Sequence, residues 1–457
     1  MTPAHDLKGR NAGRLLLVSY WFPPFTAVAS IRMGKFAKHM LEHGWDVRVL
    51  SAANTSPATM PLEIPKELVI HTPWSDVNRR VEDALAPFLS RFRPPPPLAE
   101  GEPEPPRKTT PFRALLRRIY HELVLWPDNK IGWRDHALEA GGRLVHAWRP
   151  DVIYASSPPM SSFVVADALA RRHRIPWIGE FRDLWIDDPR YEYSALRAWF
   201  ERRWEDRILK RAAAIGSVSP RWQDRLSKRF GRPTFVAMNG CVVSDFPEVP
   251  PVEPQKSGPL RIVYTGHIYE SYRDPSPLFQ AIAKLRLQPS DVLVEFVGTE
   301  LHSVKPIAAR LGVLENVIVH PPVSYRKALQ IQLYADVLLH LQWCDPKEDG
   351  TIASKIFDYL CARRPILGIA LESSVAAEIV AKYRGGLVTN DVDKVASQLG
   401  AWIEEKKRGG ISPLPAEASQ GLERTLQFET IRAVVTSVVS SGVARSKTGP
   451  ALALAES

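Results

Sequence analysis

Residues 14–50, RLLLVSYWFPPFTAVASIRMGKFAKHMLEHGWDVRVL, decide how the chain is read. Leu15-Leu16-Leu17-Val18 is a continuous apolar run, the pattern of a strand buried on both faces of a parallel sheet. The loop SYWFPPFTAVAS follows, and then apolar residues at Met33, Phe36, Ala37, Met40 and Leu41 recur with a helical period. They stop at Gly44, placed where a glycine just past a helix end would stand. Val47, Val49 and Leu50 open a second strand, so the stretch is a βαβ unit.

The alternation continues outward from there. It returns at DVIYAS (151–156), a helix over 161–173, IPWIGEF (175–181), a charged helix near 194–211, AAAIGSVS, a helix near 219–230 and TFVAM. It restarts with RIVYTG, DVLVEFVG, NVIVHPP, DVLLHLQW and PILGIA. Between the two series lies PEVPPVEPQKSGP (247–259), five prolines in 13 residues, which is linker composition. The expected class is therefore α/β, with a Rossmann-like domain over 14–246, the linker, and a second Rossmann-like domain over 260–426. A helix over 427–441 and a frayed tail over 442–457 complete the chain. The segment 91–111, which includes RPPPPLAEGEPEPPRK, cannot build a core and reads as an extended excursion; FRALLRRIYHELVLW (112–126) has the pattern of a basic amphipathic helix.

Composition narrows the function. The 457 residues carry 60 basic and 50 acidic side chains, a net charge of +10, with 45% hydrophobic and 24% charged residues, ordinary for a globular protein. No apolar run reaches the ~18 residues that a membrane span needs. The run Leu15–Phe22 is too short for a signal segment and ends in Pro23-Pro24, so the expected location is cytoplasmic, with peripheral contact at the inner membrane face. Cys241, Cys344 and Cys361 lie far apart, with neither metal-ligand spacing nor a disulfide framework. No nucleic-acid motif accompanies the positive charge, and the lack of a P-loop and of GxGxxG argues against a kinase and a typical dehydrogenase. Surplus solvated lysine and arginine fits the charge, as does attraction to an anionic membrane surface or a phosphorylated substrate.

In open parallel sheets ligands sit beyond the carboxyl ends of the strands. That rule selects SYWFPPFTAVASIR, SPPMSS, and RDLWIDDP with Glu180, Arg182 and Asp183 in the first half. In the second half it selects GHIYESYRDP, with His267 and Arg273, and CDPKEDGTIASKIFDYL, with Lys355 and Asp358 at a helix expected to begin near Thr351. A diphosphate needs cations and N–H donors, which His267, Arg273 and Lys355 supply, and a ribose diol needs a carboxylate such as Asp358.

Taken in order, YWFPPFTAVASIRMGKFAKHMLEHGWDVRVL, WPDNKIGW, DVIYASSPPMSS, IPWIGEFRDLW, NGCVVSDF, IVYTGHIYESYRDP, FVGTE and GTIASKIFDYLCARRPIL resemble the GT-B fold glycosyltransferases of family 4, and closely a bacterial subgroup that makes cell-surface polysaccharides. The resemblance implies two Rossmann-like domains facing each other across a cleft. It also implies transfer of a sugar from a nucleoside diphosphate sugar, with retention, to a glycan or lipid-linked acceptor, with no cofactor and no metal on the protein. It places Gly266, His267, Arg273, Gly298, Lys355 and Asp358 on the donor, and Pro24, Ala27, Ser30 and Arg182 in the acceptor-side loops. Arg273, Lys355, Glu180 and Asp183 are the residues expected to serve catalysis.

The chain departs from the family at Ala27–Ala29, where glycines are usual, at Asp358, where a glutamate is usual, and at Gly350, where the family at large has a second glutamate. Two rival readings stay open beside the transferase: a nucleotide-sugar epimerase, and an inert relative that binds nucleotide sugar or scaffolds a complex.

Overall fold

The structure, a computed structural model, describes residues 12–25, 27–53, 57–77, 122, 125–246, 257–268 and 272–447. The apolar runs become strands of two separate sheets. The first holds β1 (Gly13–Val18), β2 (Trp45–Ala52), β3 (Val69–Thr72), β4 (Val152–Ser157), β5 (Trp177–Phe181), β6 (Ala214–Ser217) and β7 (Thr234–Val236), in the order β3-β2-β1-β4-β5-β6-β7. The second holds β8 (Leu260–Thr265), β9 (Val292–Val297), β10 (Val317–His320), β11 (Val337–Leu341), β12 (Ile366–Ile369) and β13 (Gly386–Val388), in the order β10-β9-β8-β11-β12-β13. Neighbours run parallel, for example Leu15 against Val47 and Val152, and Ile262 against Val294 and Val337.

Each sheet winds outward in both directions from its first strand. The winding reverses between β1 and β4 in one sheet and between β8 and β11 in the other, and at such a point the loops splay and leave room for a ligand. Leu15–Val18 and all of Val152–Ser157 are buried, as continuous apolar strands covered on both faces must be. Helices α1 (Val28–Glu42), α2 (Arg134–Trp148), α3 (Ser161–His173), α4 (Ala195–Leu209) and α5 (Pro220–Phe230) accompany the first sheet in sequence. The second has α6 (Ser276–Lys284), α7 (Leu301–Arg310), α8 (Tyr325–Leu333), α9 (Lys355–Cys361), α10 (Val375–Lys382) and α11 (Val392–Gly409), and α12 (Arg424–Lys447) follows.

The structure corrects several expectations. Strands β3 and β13 and helix α2 were not foreseen. Helix α9 starts at Lys355, four residues after the Thr351 expected from sequence, because Thr351–Ser354 remain non-helical. Helix α12 begins before residue 427 and carries through 442–447, which were expected to fray. The chain forms two compact units whose border differs from the one read at 246. One unit takes the chain through Ser217, Leu226–Phe235 and Ile431 onward, and the other takes Val218–Arg225 and Val236–Thr430. The segment NGCVVSDF thus joins the second unit, where Cys241 pairs with Glu423: Cys241 N–H donates to the Leu422 carbonyl at 2.8 Å and Arg424 N–H to the Cys241 carbonyl at 2.7 Å. A disulfide joins Cys241 to Cys361, although 120 residues separate them, against the expectation of none. The excursion 91–111, linker residues 247–256 and the chain beyond 447 lie outside the described residues, as does 112–126 apart from Glu122, Leu125 and Trp126.

Candidate functional site

The second sheet places its charged residues at the switch point. Strand β8 ends in Tyr264 and Thr265, and Gly266 follows at φ +123°, a conformation L side chains rarely adopt. A Cβ on Gly266 would stand 3.2 Å from the Lys355 ammonium, so the missing side chain is what lets that ammonium reach the strand end. Lys355 Nζ donates to the Thr265 carbonyl at 2.8 Å and lies 3.8 Å from the centre of the Tyr264 ring. Among the described residues no carboxylate forms an ion pair with it. Burial and the nearby Arg273 hold the Lys355 ammonium well below the usual lysine range, against the pull of Asp358.

Arg273 is anchored to the same aromatic residue. It donates to the Tyr264 hydroxyl at 3.1 Å and to the His267 carbonyl at 2.7 Å, and the Tyr264 hydroxyl itself donates to that carbonyl at 3.0 Å. His267 therefore enters the cluster through its backbone, while its ring is exposed. Gly298, at φ +82°, lies against Gly266, and Thr299 hydroxyl donates to the Gly266 carbonyl at 2.8 Å. Asp358 is buried, and its Oδ1 has no hydrogen-bond partner among the described residues. Burial pushes its carboxyl up to about 7, with Arg424 opposing the shift, Asp245 adding to it and Lys355 opposing it. Two cations and one buried carboxyl thus share the carboxyl end of one sheet.

Strand order gives the first unit a different arrangement. Glu180, in β5, is fully buried: Oε1 accepts from Arg32 at 2.6 Å and Oε2 from Ser156 hydroxyl at 2.9 Å. Burial pushes this carboxyl up, but Arg32 overrides it and holds it below the usual range. Glu180, expected to serve catalysis, is thus closed onto Arg32 and Ser156. Arg182 donates to Ser156 hydroxyl at 3.0 Å and to the Pro158 carbonyl, tying the SPPMSS loop to β5. Asp183 is partly exposed and pairs with Arg190 at 3.4 Å. Pro24 accepts from Met60 N–H at 3.1 Å, Ala27 precedes α1 without a side-chain cap, and Ser30 is fully buried with no partner for its hydroxyl among the described residues.

Sequence reasoning missed several neighbours of these groups. Tyr264 carries both Arg273 and Lys355, and its place next to the last residue of an apolar strand was the available signal. His340, buried in β11 and bonded to Gln342 at 3.2 Å, is pushed down to about 3 by burial and Lys355 and is neutral. Gly350 has no room for the family's glutamate, since a Cβ there would come within 2.5 Å of the Trp222 indole nitrogen.

Residues 29–241 match the family model described as Glycosyl transferase 4-like domain. No curated protein matches the chain in sequence. The solved lipopolysaccharide outer core galactosyltransferase WaaB is similar with a TM-score of 0.56 at 11% identity, over 93% of this chain and 99% of that one. Sucrose-phosphate synthase from Thermosynechococcus elongatus gives 0.56 at 11%, over 95% and 98%. A putative UDP-N-acetylglucosamine 2-epimerase from Listeria monocytogenes gives 0.51 at 12%, over 94% and 97%. Identities this low speak for the fold: two parallel-sheet α/β domains of GT-B type.

Proposed function

We propose, from the premise that this chain is a family 4-like glycosyltransferase of the GT-B fold, that it moves a sugar from a nucleoside diphosphate sugar to a glycan or lipid-linked acceptor in cell-surface polysaccharide synthesis. The observation that carries the donor assignment is the Lys355–Tyr264–Arg273 cluster: two cations at the switch point of the second sheet, with the Lys355 ammonium held by a carbonyl and a ring face rather than by a described carboxylate. A diphosphate supplies the missing negative charge. As the sugar–oxygen bond breaks, charge grows on the departing diphosphate, and cations fixed in a partly dry site stabilise it most at that moment. Lys355 and Arg273 would provide that stabilisation without a metal held by the protein, and the sequence offers no suitable Asp-x-Asp pair in the site loops. Asp358 would accept the ribose hydroxyls, Gly266 and Gly298 would let the donor approach the backbone, and His267 would add a donor to the same anion. Asp183 would orient the acceptor hydroxyl. The reading includes retention of configuration and salt-sensitive contact with anionic membrane lipid, the latter motivated by the +10 charge.

The experiment is a thermal-shift panel of UDP, GDP and their sugars, followed by NMR of the anomeric configuration of the transferred sugar. A ligand at roughly a hundredfold its Kd adds about 2.7 kcal/mol of stability. Selective stabilisation by one nucleotide and its sugar supports the donor site, and no response to any of them overturns it.

One observation favours a second reading. With the Gly350 position filled by Trp222, the chain lacks space for a carboxylate the family at large uses, which suits a relative that binds nucleotide sugar without turnover. Donor binding with neither transfer nor slow hydrolysis would select that reading. Donor turnover that alters the sugar without any acceptor would select the epimerase.

A further inference from the structure

The string WPDNKIGW has no part in the donor chemistry, yet it builds a defined feature in the first unit. Lys130 Nζ lies 4.8 Å from the ring centre of Trp74, 5.7 Å from that of Tyr20 and 5.8 Å from that of Trp21. Trp21 follows β1 and Trp74 follows β3, so the rings and the ammonium share the carboxyl end of the first sheet, beside its switch point. The loop is fixed from both sides. Asp128 accepts from Ser161 N–H at 2.9 Å and Ser161 hydroxyl at 2.8 Å, at the start of α3, and from Lys130 N–H at 2.8 Å. Trp133 donates to Thr72 hydroxyl at 2.7 Å, and Ser75 N–H donates to the Gly132 carbonyl at 3.2 Å. A Cβ on Gly132 would fall 1.9 Å from the Ser75 carbonyl oxygen, so only glycine lets the loop lie this close.

Two features of this patch call for a ligand. The Lys130 ammonium forms no ion pair with any carboxylate among the described residues, and the oxygens of neighbouring Asp128 already accept the three donors named above. The Tyr20 ring is fully buried, and its hydroxyl has no partner among the described residues. Trp21 and Trp74 both keep part of their surface open. Partly open indoles offer apolar faces for the C–H side of a pyranose, and a fixed ammonium beside them asks for an anion.

We propose that Trp21, Trp74 and Lys130 form an acceptor subsite that takes a pyranose carrying an anionic group, phosphate or carboxylate. The word acceptor rests on the glycosyltransferase reading above; the binding itself does not.

The test is ligand-observed saturation-transfer NMR on the full chain, with glucose 1-phosphate, methyl glucuronide and neutral methyl glucoside as probes. Wild type binds at least one anionic probe about tenfold more tightly than the neutral one, and whichever is tighter identifies the anion. Lys130→Gln abolishes that preference and Lys130→Arg keeps it, a pattern that loss of packing alone does not produce. Trp74→Ala weakens all three probes. If wild type shows no preference for an anionic probe, or if Lys130→Gln and Trp74→Ala both bind like wild type, the proposal is overturned. Nucleotide-sugar stabilisation, measured on the same samples, separates the two readings. Pyranosides that bind where no nucleotide sugar does leave the subsite standing and remove the donor assignment.

Discussion

Two lysines of the second unit, at opposite ends of the same sheet, are held by opposite means. Lys406 comes from α11 to the amino end of β11, where its ammonium sits 2.8 Å from each oxygen of Asp336 and both side chains are almost wholly buried. Lys355 comes from α9 to the carboxyl end of β8 and meets a carbonyl and an aromatic face. The first cation is neutralised by the fold and belongs to stability. The second has no carboxylate partner among the described residues and rests on that carbonyl and that ring. The first unit repeats the contrast, with Arg32 closed onto Glu180 and Lys130 resting on rings. A cation's nearest acceptor, more than its burial, separates a structural charge from a binding one.

The largest expected effect breaks the paired member. Asp336→Ala leaves the Lys406 ammonium buried without its carboxylate and should cost about 3–5 kcal/mol, read as a lower urea midpoint. A loss under about 1 kcal/mol would erase the distinction between the two lysines. Next come the poised cations: Lys355→Ala and Arg273→Ala should each lower the transfer rate by about 10²–10³, roughly 3–4 kcal/mol, while melting stays within a few degrees of wild type. Near-normal transfer by Arg273→Ala would displace the diphosphate from this cluster.

A smaller effect concerns pH. The Asp358 carboxyl is pushed up to about 7 by burial, so the folded chain holds a proton there that the unfolded chain releases near pH 4. The stabilisation by that proton is complete at about pH 4 and below and is lost as pH rises through about 7. Measured against Asp358→Asn, wild type should therefore lose stability between about pH 4 and 7, by at most about 1.4 kcal/mol per pH unit. Two parallel stability curves would show that Asp358 is ionised throughout. The substitution Asp358→Ala should also weaken nucleotide binding, seen as a smaller thermal shift. The smallest effect is at the surface: cosedimentation with anionic vesicles at low salt should fall away at physiological salt, where charge is screened over about 8–10 Å. No cosedimentation at low salt would remove the membrane contact.

The sheets were legible because their central strands are buried on both faces and read as unbroken apolar runs, as at Leu15–Val18 and Ile366–Ile369. Strands β3 and β13, which the reading missed, lie at sheet edges and are only 4 and 3 residues long. Helix α2 carries Gly141-Gly142 at mid-length, and Gly141 lies where a Cβ would strike Leu169 and Leu50, so its packing face is marked by a missing side chain. The cations proposed to face the donor could be picked out because they stand at strand ends on charged residue types. Their supports were not: Tyr264 reads as core, and the pairing of Arg32 with Glu180 joins residues 148 apart. The cysteine pair failed for the same reason, since a separation of 120 residues carries no local signal.

The division of the chain into units has a consequence for heredity. Neither unit is one continuous stretch: the second consists of Val218–Arg225 and Val236–Thr430, and the first resumes at Leu226–Phe235 and again at Ile431. A single recombination crossover in the linker would therefore deliver a mismatched hybrid, with α5 and α12 each holding parts of both parents' packing. To exchange donor preference cleanly between relatives, a graft would have to respect four junctions, at Ser217/Val218, Arg225/Leu226, Phe235/Val236 and Thr430/Ile431. Lineages of such chains should then change sugar preference mostly by point substitution within a unit, and seldom by wholesale swapping of halves.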